Sequence, residues 1–299
     1  MGLEVLYGEH AGEAVDFCLE EICRESYRWP EKRAYLIVPE QTKADMERRY
    51  LEVRNRLCDR SCPTPPETKN ALMLVDVVSF SRFAHRILSE VGGFPEEYLD
   101  KASETMLIHR ILSEGKQDFK VLSALADRIG FVPEVQSVLG DFLRYHVTPE
   151  SMRSLDSSSL DPSFITKIRD FALLMERLAG KTDELGYCAQ GQELLRLSET
   201  LEILKRGGRE ASVWPLNRLS YLRNTSVWIL GFGETRDFTP QESTVIDGLV
   251  RLTAKTVITV AADRVPSGRI SVADGSRAFR FGRQTLWNLL ERFPGTEIR

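Results

Sequence analysis

Five short apolar runs, each followed by a stretch with helical periodicity, constrain the fold of this chain most strongly. An uninterrupted apolar run is typical of a strand that is buried on both faces, and such strands occur mainly in parallel sheets. Strands that alternate with helices in this way predict an α/β fold, a doubly wound parallel sheet with helices on both faces. The five predicted strands are residues 3–7, 34–38, 72–78, 226–230 and 256–262.

Helix start signals are clearest after the third and fourth runs. Ser79 or Ser81 can cap the helix after the third run, because a serine oxygen accepts a bond from a free N–H of the first turn. Thr239 followed by Pro240 and Glu242 has the pattern of a capping box. The other helices of the α/β core are predicted to end near Tyr27, to span about 41–58, and to span about 284–292.

The middle of the chain has a different character. Residues 102–198 show successive helical patterns and no run that we interpret as a strand, which predicts an all-helical insertion. The resulting domain organisation is a first part of the α/β core in residues 1–100, a helical insertion in 101–222, and a return to the core in 223–299.

Composition limits the classes of function. The 299 residues carry a formal net charge of −4, so any binding of nucleic acid must use a local basic surface. No apolar run is long enough to span a bilayer, and the first residues lack signal-peptide features, which predicts a cytoplasmic protein without membrane contact. The odd number of cysteines argues against a disulfide framework, and reduced thiols are favoured over a metal site. The cysteines are Cys18, Cys23, Cys58, Cys62 and Cys188.

The loop after the first predicted strand resembles an altered phosphate-binding loop. Such a loop needs glycines whose N–H groups hold phosphates, a lysine, and a hydroxyl that binds Mg²⁺. Here Gly8 and Gly12 are glycine remnants, whereas Glu13 stands at the lysine position and Ala14 at the hydroxyl position. Since a carboxylate repels a triphosphate, an ordinary strand-to-helix turn is favoured over a nucleotide site, and ATP is not expected as a cofactor.

The end of the fourth predicted strand lacks the carboxylates of a motor ATPase. In such enzymes this strand ends in an aspartate that binds Mg²⁺, followed by a glutamate that polarises the attacking water. This chain has Leu230 and Gly231 at these positions, and Glu234 lies four positions beyond Leu230. The two losses together predict a chain that does not hydrolyse ATP and has no catalytic or metal-binding residue of its own.

A set of short motifs, in their order along the chain, resembles the N-terminal part of the B subunits of bacterial AddAB helicase–nucleases, also called RexAB. The resemblance extends over nearly the whole chain. The motifs are Tyr7-Gly8, Val38-Pro39-Glu40-Gln41, residues 78–84 (VSFSRFA), Gly231-Phe232 and residues 238–242 (FTPQE).

This resemblance implies a P-loop fold of the superfamily 1 helicase type whose motor function is lost. Family members form a heterodimer with an A subunit, which is the ATP-driven motor, and the complex resects double-strand breaks for recombinational repair. The B subunit contributes to recognition of the Chi sequence in single-stranded DNA. Its nuclease and its iron–sulfur cluster belong to a C-terminal region, so no cluster is expected in these residues. Many members keep an intact phosphate loop, and this chain departs from that pattern.

The resemblance also implies a site for single-stranded DNA at the ends of the second and third strands. Gln41 can pair with a base edge, Arg82 can bind a guanine or a phosphate, and Phe80 can stack on a base. Lys43 and His85 occupy neighbouring positions of the same motifs, where we expect Thr and Trp in the family, so the sequence preference can differ.

Other interpretations of these residues stay open. Phe80 fits the apolar stripe of its helix and can be a core residue, while Gln41 and Arg82 can be helix caps or plain surface residues. The alternation of arginines with acidic residues in 47–60 is more typical of a solvated helix face than of a phosphate track. For the whole chain, the alternatives are an ATPase with an altered phosphate loop and an interaction scaffold that does not contact DNA.

Overall fold

A computed structural model describes residues 2–29, 31–61, 74–92, 97–155, 160–188, 191–233, 236–268, 270 and 278–299. The chain divides into two compact units. The first consists of Met1–Val91, Leu197–Phe238 and Glu242–Arg299, and the second of Gly92–Arg196 and Thr239–Gln241. Residues 197–222, which were assigned to the insertion from the sequence, thus group with the α/β unit.

Strands and helices are numbered in chain order. The strands are β1 (Leu3–Gly8), β2 (Ala34–Ile37), β3 (Val75–Val78), β4 (Glu97–Tyr98), β5 (Tyr187–Cys188), β6 (Ser226–Phe232), β7 (Lys255–Ala261) and β8 (Glu297–Ile298). The helices are α1 (Ala11–Arg28), α2 (Lys43–Ser61), α3 (Phe80–Glu90), α4 (Lys101–Glu114), α5 (Phe131–Arg144), α6 (Pro149–Arg153), α7 (Pro162–Leu185), α8 (Glu193–Arg206), α9 (Arg209–Ser212), α10 (Pro240–Leu252) and α11 (Arg280–Arg292). Short 3₁₀ helices cover Glu40–Thr42, Ser123–Leu125 and Leu216–Asn224.

The first unit contains a six-stranded sheet in which the described strands pair in the order β3-β2-β6-β7-β1-β8, all parallel. The predicted α/β class and parallel sheet are confirmed, and all five predicted strands are present. Residues 72 and 73 of the predicted third strand lie outside the described residues. The sixth strand, β8, was not predicted, because its two residues are exposed and form no apolar run.

Helices pack on both faces of this sheet, because successive side chains of a strand point to opposite sides. Leu36 and Trp228 belong to a core cluster with Leu19 of α1 and Tyr50 of α2. The neighbouring Tyr35 points the other way, where its ring meets Phe83 of α3 with centroids 4.9 Å apart. This two-sided burial explains why the strands are apolar at consecutive positions.

The second unit is built around the helices α4, α5 and α7, which share one apolar core. The buried Asp170 of α7 accepts bonds from three backbone N–H groups, those of residues 120, 121 and 122, at 2.7–3.1 Å. One correction applies to this unit: β5 pairs with β4 in parallel, so the insertion is not all-helical. A two-residue strand has no periodicity by which the sequence could reveal it. Within the described ranges, no helix is both long and apolar enough to cross a membrane.

Candidate nucleic-acid interface

The predicted DNA site lies where β2 and β3 end. The two strands are neighbours in parallel register, with Ile37 paired to Val78. The chain therefore leaves both strands at the same edge of the sheet, continuing into the 3₁₀ turn Glu40–Thr42 on one side and into α3 on the other. Ligands of parallel α/β sheets bind at this edge, beyond the carboxyl ends of the strands.

Ser79 starts α3 and links it to the neighbouring loop. Its side-chain oxygen accepts a bond from the backbone N–H of Arg82 at 3.4 Å, which makes Ser79, and not Ser81, the helix cap. The Ser79 hydroxyl also donates to the Glu40 carboxylate, and this bond is the main reason why the pKa of Glu40 lies below its ordinary value. Slight burial acts against this shift, and the positive charge of Arg82 adds to it.

An ion pair joins the two loops directly. The Nε of Arg82 lies 3.6 Å from a carboxylate oxygen of Glu40, while the side chains remain 67% and 55% exposed. Such an exposed pair contributes little to stability, so the guanidinium can exchange its carboxylate for another anion at small cost. Nothing in the sequence indicated that Glu40 contacts Arg82 and Ser79 in this site.

Four of the five predicted DNA-binding side chains are solvent-accessible at this edge. Gln41, Arg82 and His85 are exposed. Lys43 is half-buried and its ammonium lies 3.7 Å from Glu47, one turn further along α2. The site thus presents an amide, a guanidinium, an ammonium and an imidazole, which can together bind bases and phosphates.

Phe80 takes the other role that the sequence left open. Its side chain is only 4% exposed, and its ring packs edge-on against Phe232 and Phe238 at centroid distances of 5.4 and 6.2 Å. In this arrangement the ring is a core group that fixes the start of α3, and a base cannot stack on it. Phe80 belongs to the apolar stripe of α3, and the burial of this stripe places its ring in the core.

The loop after β1 is very short. Only residues 9 and 10 separate Gly8 at the end of β1 from the start of α1. The carbonyl oxygen of Gly8 accepts the N–H of Ala262 at 3.1 Å, and that of Gly12 accepts Nη2 of Arg49 at 2.8 Å. Neither glycine adopts a left-handed conformation. The connection is a short strand-to-helix turn of two residues.

The end of β6 places an aliphatic side chain in the core. Leu230 is fully buried and belongs to the same apolar cluster as α1 and α2. The strand then bulges at Gly231, which has φ +78°, and Gly233 is also left-handed with φ +85°. Glu234 lies outside the described residues. No group of three or more His, Cys, Asp or Glu side chains that could hold a metal ion occurs in the described part of the chain.

Two arginines near the start of α2 form ion pairs at the surface, whereas Arg54 further along the helix is buried. Arg48 pairs with Asp45 at 2.6 Å, and Arg49 pairs with Asp16 at 2.7 Å. The hydrogen bond from Arg49 is the main cause that lowers the pKa of Asp16. These carboxylates neutralise both arginines, so this part of the helix offers no continuous phosphate track.

Comparison with known proteins places these motifs in a family. The family described as "ADDB, N-terminal" matches residues 5–298. The B subunit of the ATP-dependent helicase/deoxyribonuclease of Clostridium kluyveri is 25% identical over 263 residues, which are 88% of this chain and 20% of that protein. The B subunits of the same name from Thermoanaerobacter sp. strain X514 and Geobacillus thermodenitrificans are 26% identical over 266 residues and 28% identical over 272 residues.

Each of these two alignments covers 88% of this chain, and they cover 20% and 21% of the two relatives. The chain therefore spans about a fifth of the length of the relatives it matches. The family match includes both motifs at the ends of β2 and β3 and extends almost from one end of the sequence to the other. On this basis, the chain belongs to the AddB N-terminal family.

Proposed function

We propose that this chain is a helicase-like domain without motor activity, which binds single-stranded DNA and assembles with an ATP-driven partner protein in double-strand-break repair. The bound strand crosses the edge of the sheet where β2 and β3 end. Gln41 and Arg82 read bases there, in the manner of Chi recognition, and Lys43 and His85 contact the adjoining nucleotides.

One observation carries this proposal: the parallel pairing of β2 with β3 brings the two motif loops to one exposed edge, where Arg82 lies 3.6 Å from Glu40. The relatives' names describe subunits of ATP-dependent helicases and deoxyribonucleases, enzymes that act on DNA. The exposed guanidinium of Arg82 and the exposed amide of Gln41 are of the types that bind guanine and adenine edges. Phe80 supports this site from within the core.

The proposed superfamily 1 helicase type and the loss of the motor have support in the sheet. β1 and β6 would carry the phosphate loop and the metal carboxylate, and only β7 separates them. Their carboxyl ends are thus about 10 Å apart at one edge, since neighbouring strands are spaced by about 4.8 Å. At these ends the chain has a two-residue turn and the buried Leu230.

The assembly with a partner is supported by the relatives' names, which describe them as B subunits. In this arrangement the partner protein supplies the ATP-driven movement of the DNA. The N-terminal domain guides the single strand and tests its sequence.

A binding measurement with fluorescently labelled short single strands tests the DNA site. We expect Arg82→Ala and Gln41→Ala each to weaken binding by about 5- to 150-fold, since a good contact to a base contributes about 1–3 kcal/mol. If the Arg82 guanidinium contacts a phosphate, Arg82→Ala also reduces the salt dependence of the affinity.

Arg86→Ala is the matched control. Arg86 lies one turn further along α3, is half-exposed, and pairs with Asp76 at 3.2 Å. Its removal changes the net charge as Arg82→Ala does, but leaves the loops at the strand ends intact. Equal affinities of the wild type and of both site variants would remove the DNA site and leave a protein-interaction scaffold as the better account.

A further inference from the structure

Glu40 is an acidic side chain in a site that we propose to bind an anionic strand. One of its carboxylate oxygens lies 3.6 Å from Nε of Arg82, and the side chain is 55% exposed. Because a carboxylate repels phosphates, Glu40 lowers the general attraction of this site for DNA. Any benefit of Glu40 for DNA binding must therefore come from its effect on what Arg82 contacts.

The start of α3 holds the Glu40 carboxylate in place. The hydroxyl of Ser79 donates to it, and this bond is the main cause of the lowered pKa of Glu40, to which the charges of Arg82 and Lys43 add. Ser79 is itself buried, and its oxygen accepts the backbone N–H of Arg82 at 3.4 Å. The carboxylate is thus ionised at neutral pH and contacts two residues of the first turn of α3.

The contact with Glu40 uses only one part of the Arg82 guanidinium. A guanidinium has five N–H groups, and the contact through Nε leaves the four N–H groups of the two Nη atoms. Two such groups can bind O6 and N7 of guanine together. Arg82 can therefore bind a guanine, which is neutral, while it keeps its contact with Glu40. A phosphate on the same guanidinium would be repelled by the nearby carboxylate.

We propose that Glu40 is a positioning residue that makes Arg82 bind guanine in preference to phosphate, because its carboxylate holds Nε and repels phosphates. This inference rests on the proposed function and adds a determinant of base specificity to the same site. The side chains of Arg82 and Glu40 are 67% and 55% exposed, so water screens their interaction. An exposed ion pair of this kind changes an equilibrium by about two- to fivefold.

Fluorescence anisotropy with two labelled short single strands tests the inference. One strand alternates thymine with guanine, and the other has 7-deazaguanine at each guanine, which lacks the N7 acceptor but leaves the phosphates unchanged. We expect the wild type to bind the guanine strand about fivefold or more tightly than the other strand. We expect Glu40→Gln, which keeps an acceptor for Ser79, to reduce this affinity ratio by about two- to fivefold.

The salt dependence gives a second measurement on the same variants. In Glu40→Gln the guanidinium of Arg82 becomes available to a phosphate, so the slope of log affinity against log salt becomes steeper by up to about one. In an Arg82→Ala background, Glu40→Gln should change neither the slope nor the affinity ratio, because Glu40 acts through Arg82. Glu40→Asp keeps a carboxylate and should retain more of the ratio than Glu40→Gln.

Asp76→Asn is the matched control. Asp76 pairs with Arg86 of the same helix at 3.2 Å, so the variant removes a carboxylate from an arginine outside the proposed site. We expect it to leave the affinity ratio of the two strands at the wild-type value.

Three results would overturn the inference: equal binding of both strands by the wild type, an unchanged ratio in Glu40→Gln, or an equal gain of affinity for both strands in that variant. In the last case Glu40 would act by repulsion alone. The proposed DNA site would still stand if Arg82→Ala weakened the binding of either strand. It would fail, together with the inference, if Arg82→Ala and Gln41→Ala changed the binding of neither strand.

Discussion

Glu104 is an acidic residue placed where a charge is unfavourable. It lies on α4 and is 8% exposed, and one of its carboxylate oxygens accepts a bond from the side-chain amide of Gln136. Burial raises the pKa of Glu104, and the bond from Gln136 acts in the opposite direction without cancelling it. The folded protein therefore prefers the neutral form of this side chain more than the unfolded chain does.

Glu104→Gln makes this preference measurable. Because the folded pKa is raised, the stability contributed by neutral Glu104 is complete below the ordinary value of 4.5 and is lost as pH rises through the folded pKa. A glutamine keeps an acceptor for Gln136 and never ionises. We expect the variant to unfold at higher urea than the wild type at neutral pH, and the difference to vanish in acid.

The exposed Glu134→Gln on α5 is the control for a change of net charge, and should show no such difference at either pH. A Glu104→Gln stability difference that stays constant from acid to neutral pH would contradict the assignment. Urea titrations at several pH values give both results.

The sequence predicted where the site residues lie more readily than it predicted what each side chain does there. The motifs led to Gln41 and Arg82, and the structure gives both an exposed place at one edge. Phe80 was equally consistent with a core and a stacking role, because its periodicity is the same in both cases. The Glu40–Arg82 pair joins residues 42 positions apart through the pairing of β2 with β3, which no local pattern reveals.

At the level of elements, α11 approaches β7 so closely that only glycine fits between them. A Cβ added to Gly282 would lie 1.7 Å from the carbonyl oxygen of Ala261. We expect Gly282→Ala to destabilise the first unit by about 3 kcal/mol or more, because the helix must move off the strand to accommodate the methyl group. Urea unfolding followed by circular dichroism measures this loss.

Gly12→Ala is the matched control in a helix of the same unit. A Cβ at Gly12 would meet Nη2 of Arg49 at 3.5 Å, an ordinary contact, and alanine favours a helix by about 0.5–1 kcal/mol over glycine. This variant should be as stable as the wild type or slightly more so. If Gly282→Ala unfolded at the same urea concentration as Gly12→Ala, the close packing of α11 on β7 would be refuted.

Strands and helices that bury more apolar surface were easier to predict from the sequence. The five strands with apolar runs were all found, since each is covered on both faces. The strands β8, β4 and β5 were missed, because each has only two residues and forms by pairing with a strand that is distant in sequence. The sequence offered two serines, Ser79 and Ser81, as the cap of α3. The extended backbone at Ser79 and the bond that its side chain accepts identify Ser79 as the cap.

At the scale of the whole molecule, the proposed inability to bind ATP rests on the short turn after β1 as well as on charge. Glu13 is exposed in the first turn of α1, and its replacement by lysine would remove the repulsion of a triphosphate. The connection from β1 to α1 would still be two residues long, with the carbonyls of Gly8 and Gly12 already bonded. A phosphate loop wraps a longer glycine-rich segment around the phosphates, and a two-residue connection is too short for such a loop.

Calorimetric titration with Mg-ATP distinguishes these causes. We expect no saturable heat for the wild type and none for Glu13→Lys, in samples whose circular dichroism shows that they are folded. Saturable binding by the wild type would refute the motor-inactive assignment and favour an ATPase with an altered phosphate loop. Binding gained by Glu13→Lys alone would show that charge, and not the short turn, excludes the nucleotide.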